Sequence, residues 1–321
     1  MHVNNLKNDP NRLTDCIKLI ENSFKYSEEH SFSRDFNLLV DKSNHHNCYF
    51  VEENDQVLAT VFTLPRVLAF NKSNSLPVLF IGGISVSPDC QGQGIFRSLF
   101  ETVLSLNSDF GLYLLWSDLS SLYEKFDFYE FGLIEEVIGT SEVSELNNLS
   151  LEDFNNLKSK YEQLNKSCIL PKRTDSEWEL LWNNKSINKL CDSHRNVYFL
   201  DKGMDLQGII HESYLHADKN LTSFPLWKFD PNEDSDQISR YMGFMRIGNI
   251  ELLSKFVHEI SNGEISISGR LDNNKLLNVF YLGDNYEMSD KDFIQGLWGP
   301  GRIEEWSSVI PSLVIFGFDS I

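Results

Sequence analysis

Ile84-Ser85-Val86-Ser87-Pro88-Asp89-Cys90-Gln91-Gly92-Gln93-Gly94-Ile95-Phe96 is the stretch whose reading decides the fold. Into it runs Val78 to Val86, an apolar segment too short for a core helix and weakened as a helix by Gly82-Gly83, hence a buried strand. Ser87 to Gly94 is a cluster of turn residues, and beyond it Ile95, Phe96, Leu99, Phe100, Val103 and Leu104 recur at helical spacing. The local order is strand, glycine loop, helix. Backbone N–H groups of such a loop face a ligand and the helix N-terminus adds positive potential, so a pyrophosphate can bind without lysine or arginine. Gly92 and Gly94 lack the Cβ atoms that would hold phosphate oxygens away or forbid left-handed torsions.

Outward from this point the periodicity alternates. Arg12 to Phe24 and Phe32 to Val40 read as amphipathic helices, and Cys48 to Glu53 with Gln56 to Leu64 as a hairpin turning at Asn54-Asp55. Downstream, Leu112 to Trp116 is a strand, Leu119 to Lys125 a short helix and Phe128 to Val137 a strand. Thr140 to Asn148 is polar and aperiodic and marks a boundary. A second round follows: a helix over Leu151 to Leu164, a helix over Ser176 to Trp182 capped by Ser176 with Glu179, and a hairpin of Val197 to Leu200 with Leu206 to Glu212 around Lys202-Gly203. Helix, helix, hairpin thus occurs twice, and 321 residues exceed what one core usually serves. The expectation is an α/β protein of layered α+β type with a central mixed sheet, its first lobe 1–145 and a degenerate repeat of it 146–321.

Composition narrows the function. Lys plus Arg number 28 against 47 Asp plus Glu, a formal charge of −19, which repels nucleic acid phosphates and anionic membranes and attracts cations. Neither nucleic acid nor membrane is expected as a partner. The five cysteines, Cys16, Cys48, Cys90, Cys168 and Cys191, are odd in number and show no C-x-x-C spacing, so they read as free thiols and no metal site is expected. No apolar signal-peptide core opens the chain and no stretch approaches a membrane span, so a cytoplasmic location is expected.

The segment Ile84 to Phe96 resembles motif A of the GNAT superfamily, whose core is Q/R-x-x-G-x-G/A after a V-x-V-x-P strand end. The strand end, Pro88, Gln91 and Gly94 match, while Phe96 stands where Gly or Ala is usual. Downstream, Leu122-Tyr123-Glu124-Lys125-Phe126-Asp127-Phe128 is similar to the superfamily's f-Y-e-k-x-G-F segment, with Asp127 replacing Gly. The resemblance covers about Arg12 to Val137. It implies acetyl-CoA as cosubstrate, held by Ile84, Ser85 and Val86 along the pantetheine and by Gln91, Gly92, Gln93, Gly94, Ile95, Phe96 and Arg97 at the pyrophosphate. The acceptor implied is a primary amine of a small molecule or peptide. The alternative is a non-catalytic acyl-CoA-binding regulator. The layout also resembles tandem GNAT proteins of the enhanced-intracellular-survival type, but this chain is shorter and shows no clear third domain, so their aminoglycoside substrate is not carried over.

Amine attack on a thioester needs a base, and the departing thiolate benefits from an acid. The resemblance gives the acid role to Tyr123. No acidic residue lies on the strand from Val78 to Ser87, so water or a remote group must serve as base, the candidates being Glu52, Glu53, Asp118, His45 and His46. His211-Glu212 has no second His at metal spacing and is expected to be structural. The end of the chain, Pro311 to Ile321, is apolar, with Leu313 to Phe316 a strand and Gly317 a bend. By the same resemblance the terminal carboxylate at Ile321 is a further candidate base.

Overall fold

The computed structural model describes residues 2–137, 147–214, 223–229, 239–271 and 276–320. It opens with strand β1 (Val3–Asn5) and helix α1 (Leu13–Ser23), which buries Cys16 and Ile20. The second expected helix is broken into two single turns, α2 (Phe32–Asp35) and α3 (Asn37–Val40), because Phe36 between them is non-helical at φ −118°, ψ 49°. Strands β2 (Cys48–Glu53) and β3 (Gln56–Phe70) form the expected hairpin, with Asn54 and Asp55 both at positive φ as a type I′ turn requires. Next come β4 (Asn74–Val86), α4 (Ile95–Leu106), β5 (Leu112–Leu115), α5 (Ser120–Tyr123) and β6 (Tyr129–Val137).

The second half starts with β7 (Asn147–Asn148), α6 (Leu151–Leu164), β8 (Cys168–Pro171) and α7 (Asp175–Trp182). Helix α7 begins upstream of the expected cap: Thr174 and Glu177 form the capping box in place of Ser176 and Glu179. Strands β9 (Asn188–Cys191), β10 (Val197–Leu200), β11 (Ile210–Tyr214), β12 (Leu226–Phe229) and β13 (Ser239–Ile247) follow, then α8 (Ile250–Ile260). The chain finishes with β14 (Ile265–Leu271), β15 (Leu276–Tyr281), β16 (Asp284–Met288), α9 (Asp290–Trp298), α10 (Glu304–Ser307) and β17 (Ser312–Leu313). The expected strand over Leu313 to Phe316 is therefore only a two-residue strand at Ser312–Leu313, and the tail beyond it is held by single backbone bonds, Val314 N–H to the Ile169 carbonyl and Gly317 N–H to the His211 carbonyl, and by side-chain packing.

Among the described residues fourteen strands share one mixed sheet, ordered β1-β2-β3-β4-β5-β13-β6-β12-β11-β10-β9-β7, with β8 and β17 joined beside β3. Strand β13 lies antiparallel between β5 and β6, pairing Phe244 with Leu115 on one side and with Glu130 on the other. Residues on both sides of 145 thus build the same sheet. Helices α1 and α8 cover one face, and α4 covers the other with Leu99, Phe100, Val103 and Leu104 buried over β2, β3 and β4. Strands β14, β15 and β16 form a separate antiparallel sheet, a unit the sequence reading had left inside the second lobe.

Candidate active site

The site begins where two parallel strands part. β4 and β5 pair from Val78 with Leu112 to Ile81 with Leu115, and there β5 ends while β4 continues through Val86. On its other edge β4 remains bonded to β3, but Thr60 faces Ser85 and Phe62 faces Gly82, so Gly83 and Ile84 together oppose Val61. This is a β-bulge, which bends a strand away from its neighbour. Gly83 takes φ +56°, and the bulge is pinned by Thr60 Oγ1 donating to the Gly83 carbonyl at 2.8 Å. A Cβ on Gly83 would meet the Phe32 ring at 3.1 Å, so the residue must be glycine for space as well as torsion. The stretch Gly82 to Val86 consequently offers a backbone edge with no strand on the β5 side among the described residues. Ile84 and Val86 are half-buried there, and Ser85 is buried with an Oγ that makes no hydrogen bond among the described residues.

The glycine loop continues from that edge. Gly92 and Gly94 have φ +75° and +78°, and a Cβ on either would meet nothing within 4 Å. Gly94 is the N-cap of α4 and provides no side-chain cap, so the first-turn N–H groups of Ile95, Phe96 and Arg97 open onto space beside the loop. Gln91, Gly92, Gln93 and Arg97 are exposed, with Gln93 Nε2 closing back on the Asp89 carbonyl at 2.9 Å. Phe96, the departure from the motif, turns inward and contacts Phe100, Phe126 and Tyr123 at ring separations of 5.1, 5.5 and 6.2 Å. It packs its ring against the aromatic cluster beneath the start of α4.

That packing brings Tyr123 under the start of α4. Its ring lies among Phe96, Phe100, Phe128 and Phe244, only 4% exposed. The hydroxyl is hydrogen-bonded to the Ser117 side chain, just past the end of β5. Burial pushes the phenol up to about 12, against a smaller opposing effect of that bond, so Tyr123 stays protonated near neutral pH. Asp127 occupies the left-handed region at φ 60°, which explains the usual glycine at this position; a short acidic side chain tolerates it.

The base candidates are less well placed. Glu52 is engaged by Arg12 at 2.7 Å, Glu53 and Asp118 are exposed, and the His45 carbonyl accepts from the Lys7 N–H beside β1. His211 is fully buried and bonded through Nε2 to the Asp201 carbonyl at 2.8 Å, and burial drives its imidazole down to about 3, so it is neutral. Glu212 makes a two-pronged ion pair with Arg173 at 2.9 and 2.8 Å. Ile321 lies outside the described residues. The tail before it is clamped: Asp319 accepts from Arg66 at 2.8 Å and from Arg173 at 2.6 Å, all three buried. Lys202, buried against the Phe36 ring, donates to the Gly317 carbonyl at 2.7 Å and also to the Ser320 carbonyl. Gly317 is required by close approach, since a Cβ there would lie 2.5 Å from the His211 ring. The sequence reading missed this cluster; buried Arg66 in the middle of an apolar strand was the one sign of it.

Among the described residues no helix is long and apolar enough to cross a membrane, and no group of His, Cys, Asp and Glu is arranged to hold a metal ion. No curated protein sequence matches the chain. Residues 7–132 match the model of the acetyltransferase (GNAT) domain. Among solved structures, a GCN5-related N-acetyltransferase from Kribbella flavida is similar with a TM-score of 0.62 at 10% identity, covering 97% of this chain and 99% of that one. A probable N-acyltransferase from Enterococcus faecalis gives 0.58 at 12%, and Eis1 from Mycobacterium abscessus 0.54 at 10%, each covering 90% of this chain and 85% of its own. At these identities the likeness establishes the fold. The matched segment is the one that carries the parted strands, the glycine loop and Tyr123, so residues 7–132 are the part of this chain that matches an acetyltransferase (GNAT) domain.

Proposed function

We propose that this protein transfers the acetyl group of acetyl-CoA to a primary amine of a small molecule or peptide by direct attack on the thioester. The observation that carries the reading is the β4 edge left open from Gly82 to Val86, running into a glycine loop that ends at a helix N-terminus. Ile84, Ser85 and Val86 hold the pantetheine arm by strand-like hydrogen bonds. The amides from Gln91 to Arg97 hold the pyrophosphate. Tyr123, kept protonated by its apolar surroundings, gives its proton to the departing thiolate. In this reading residues 1–145 bind the cosubstrate, and 146–321, a degenerate repeat of that lobe, wall the acceptor side; the position of Lys202 against Phe36 supports this.

The test is calorimetry with acetyl-CoA followed by a panel of primary amines, with acetylated product read by mass spectrometry. Micromolar binding and a product are expected. Binding with no product from any amine would favour the non-catalytic regulator, and failure to bind would remove the assignment.

A further inference from the structure

Beside the base candidates named above, the segment joining α1 to α2 supplies a further one. Phe32 packs its ring tip against Gly83, at the bulge where the open edge of β4 begins, and its N–H is held by Glu21 Oε1 at 2.9 Å. His30 is two residues before it, so its Cα is within about 7 Å of the Phe32 Cα. His30 Nδ1 faces Asp35 Oδ2 at 3.9 Å; the Asp35 side chain is wholly buried, and neither of these two atoms makes a hydrogen bond. Asp35 Oδ1 is engaged separately by Arg34 Nε at 3.5 Å. The backbone of Gly203 packs close enough to Asp35 that a Cβ there would fall 3.0 Å from Oδ2, which restricts the carboxylate to its present position. The His30 side chain keeps 17% exposure although its Nδ1 has almost none, so the accessible part of the side chain lies away from Nδ1.

A buried carboxylate behind Nδ1 is the arrangement by which an imidazole is held in one tautomer, leaving Nε2 as the nitrogen that accepts a proton. Catalytic hydrogen bonds are commonly long before substrate binds, and the Nδ1–Oδ2 separation here is 3.9 Å. The remaining charged or titratable groups around the pair are Glu21 and Tyr26 from α1 and the turn after it, and Lys202 and Asp205 from the β10–β11 connection.

We propose that His30, positioned by Asp35, is the general base that deprotonates the acceptor amine; this rests on the acetyltransferase reading. His30 Nε2 takes one proton of the ammonium, and the freed lone pair forms the C–N bond at the thioester carbonyl. The C–S bond then breaks, Tyr123 protonates the thiolate, and the second proton shed by nitrogen restores Tyr123. His30 releases its proton to water, so one proton leaves per turnover.

The test compares wild type, His30→Gln and Asp35→Asn with two acceptors. One is an alkylamine, protonated at neutral pH; the other is a weakly basic amine such as methoxyamine, which is already neutral. His30→Gln is expected to lower kcat for the alkylamine about 10²-fold and to change the pH profile from that of wild type, while the weakly basic amine is acetylated nearly as fast as by wild type. Asp35→Asn should give an intermediate loss with the same acceptor dependence, and added imidazole should partly restore His30→Ala. Equal losses with both acceptors would show a structural role and overturn the inference. Wild-type alkylamine turnover and pH profile in His30→Gln would overturn it while leaving the acetyltransferase reading intact; no acetyl transfer by wild type would overturn both.

Discussion

Tyr123→Phe separates chemistry from architecture at this site. The substitution removes one oxygen and leaves the ring among Phe96, Phe100, Phe128 and Phe244. What the fold loses is the hydrogen bond to Ser117, worth about 1 kcal/mol and hence about 1–2 °C of Tm in a chain of this size. What catalysis loses in the proposed mechanism is a positioned proton donor, worth ~10²-fold in kcat, or about 2.7 kcal/mol. Because burial lifts the phenol to about 12, wild-type Tyr123 remains a donor throughout an ordinary assay range, and its own ionisation should put no alkaline fall into the rate below that. Initial rates of thiol release at saturating acetyl-CoA, followed from about pH 6 to about pH 9, report kcat, and calorimetry reports acetyl-CoA affinity. The expected result is a hundredfold loss of kcat at every pH with unchanged affinity. Unchanged turnover, or affinity falling as far as turnover, would refute the role of the hydroxyl as acid.

Three further outcomes are expected. Gly94→Val places a β-branched residue at φ +78° in the loop and should cost acetyl-CoA at least ~10-fold in affinity by calorimetry, from ~1–2 kcal/mol of torsional cost alone; wild-type affinity would remove the loop from the cosubstrate site. Asp319→Ala leaves buried Arg66 and Arg173 short of a carboxylate and should cost ~3–5 kcal/mol, a fall in Tm of roughly 5–7 °C by scanning calorimetry, so a deletion starting at Asp319 would test stability before catalysis. His211 has a folded-state value of about 3, below its unfolded value near 6.5, so the native state binds fewer protons; its stabilising contribution is full above about 6.5 and is lost as pH falls toward 3. Urea unfolding of wild type should therefore weaken over that interval, and His211→Asn should show a shallower decline; an identical slope would place the acid sensitivity elsewhere.

The strand, loop and helix around Gln91 to Phe96 were legible because each is set over a few residues: apolar run, turn cluster, helical spacing, glycines where φ is positive. The Asn54-Asp55 hairpin and the left-handed Asp127 belong to the same class. The break at Phe36 and the Thr174 cap were misread by small offsets, since Ser176 with Glu179 satisfies the same local rule as Thr174 with Glu177 and only packing chooses between them.

The sequence by itself determined α1, the β2–β3 hairpin, β4 to β6 with α4 and α5 between them, the glycine loop and the place of Tyr123, all products of short-range torsion and periodicity. Only the tertiary structure decided that β13 enters between β5 and β6, that a bulge at Gly83 parts β4 from β5, and that His30 faces Asp35. It also decided the clamp of Arg66 on Asp319, partners 253 residues apart. Such pairings leave no period in the chain, because a carboxylate and a guanidinium meet only after the strands that carry them have been assembled into one sheet.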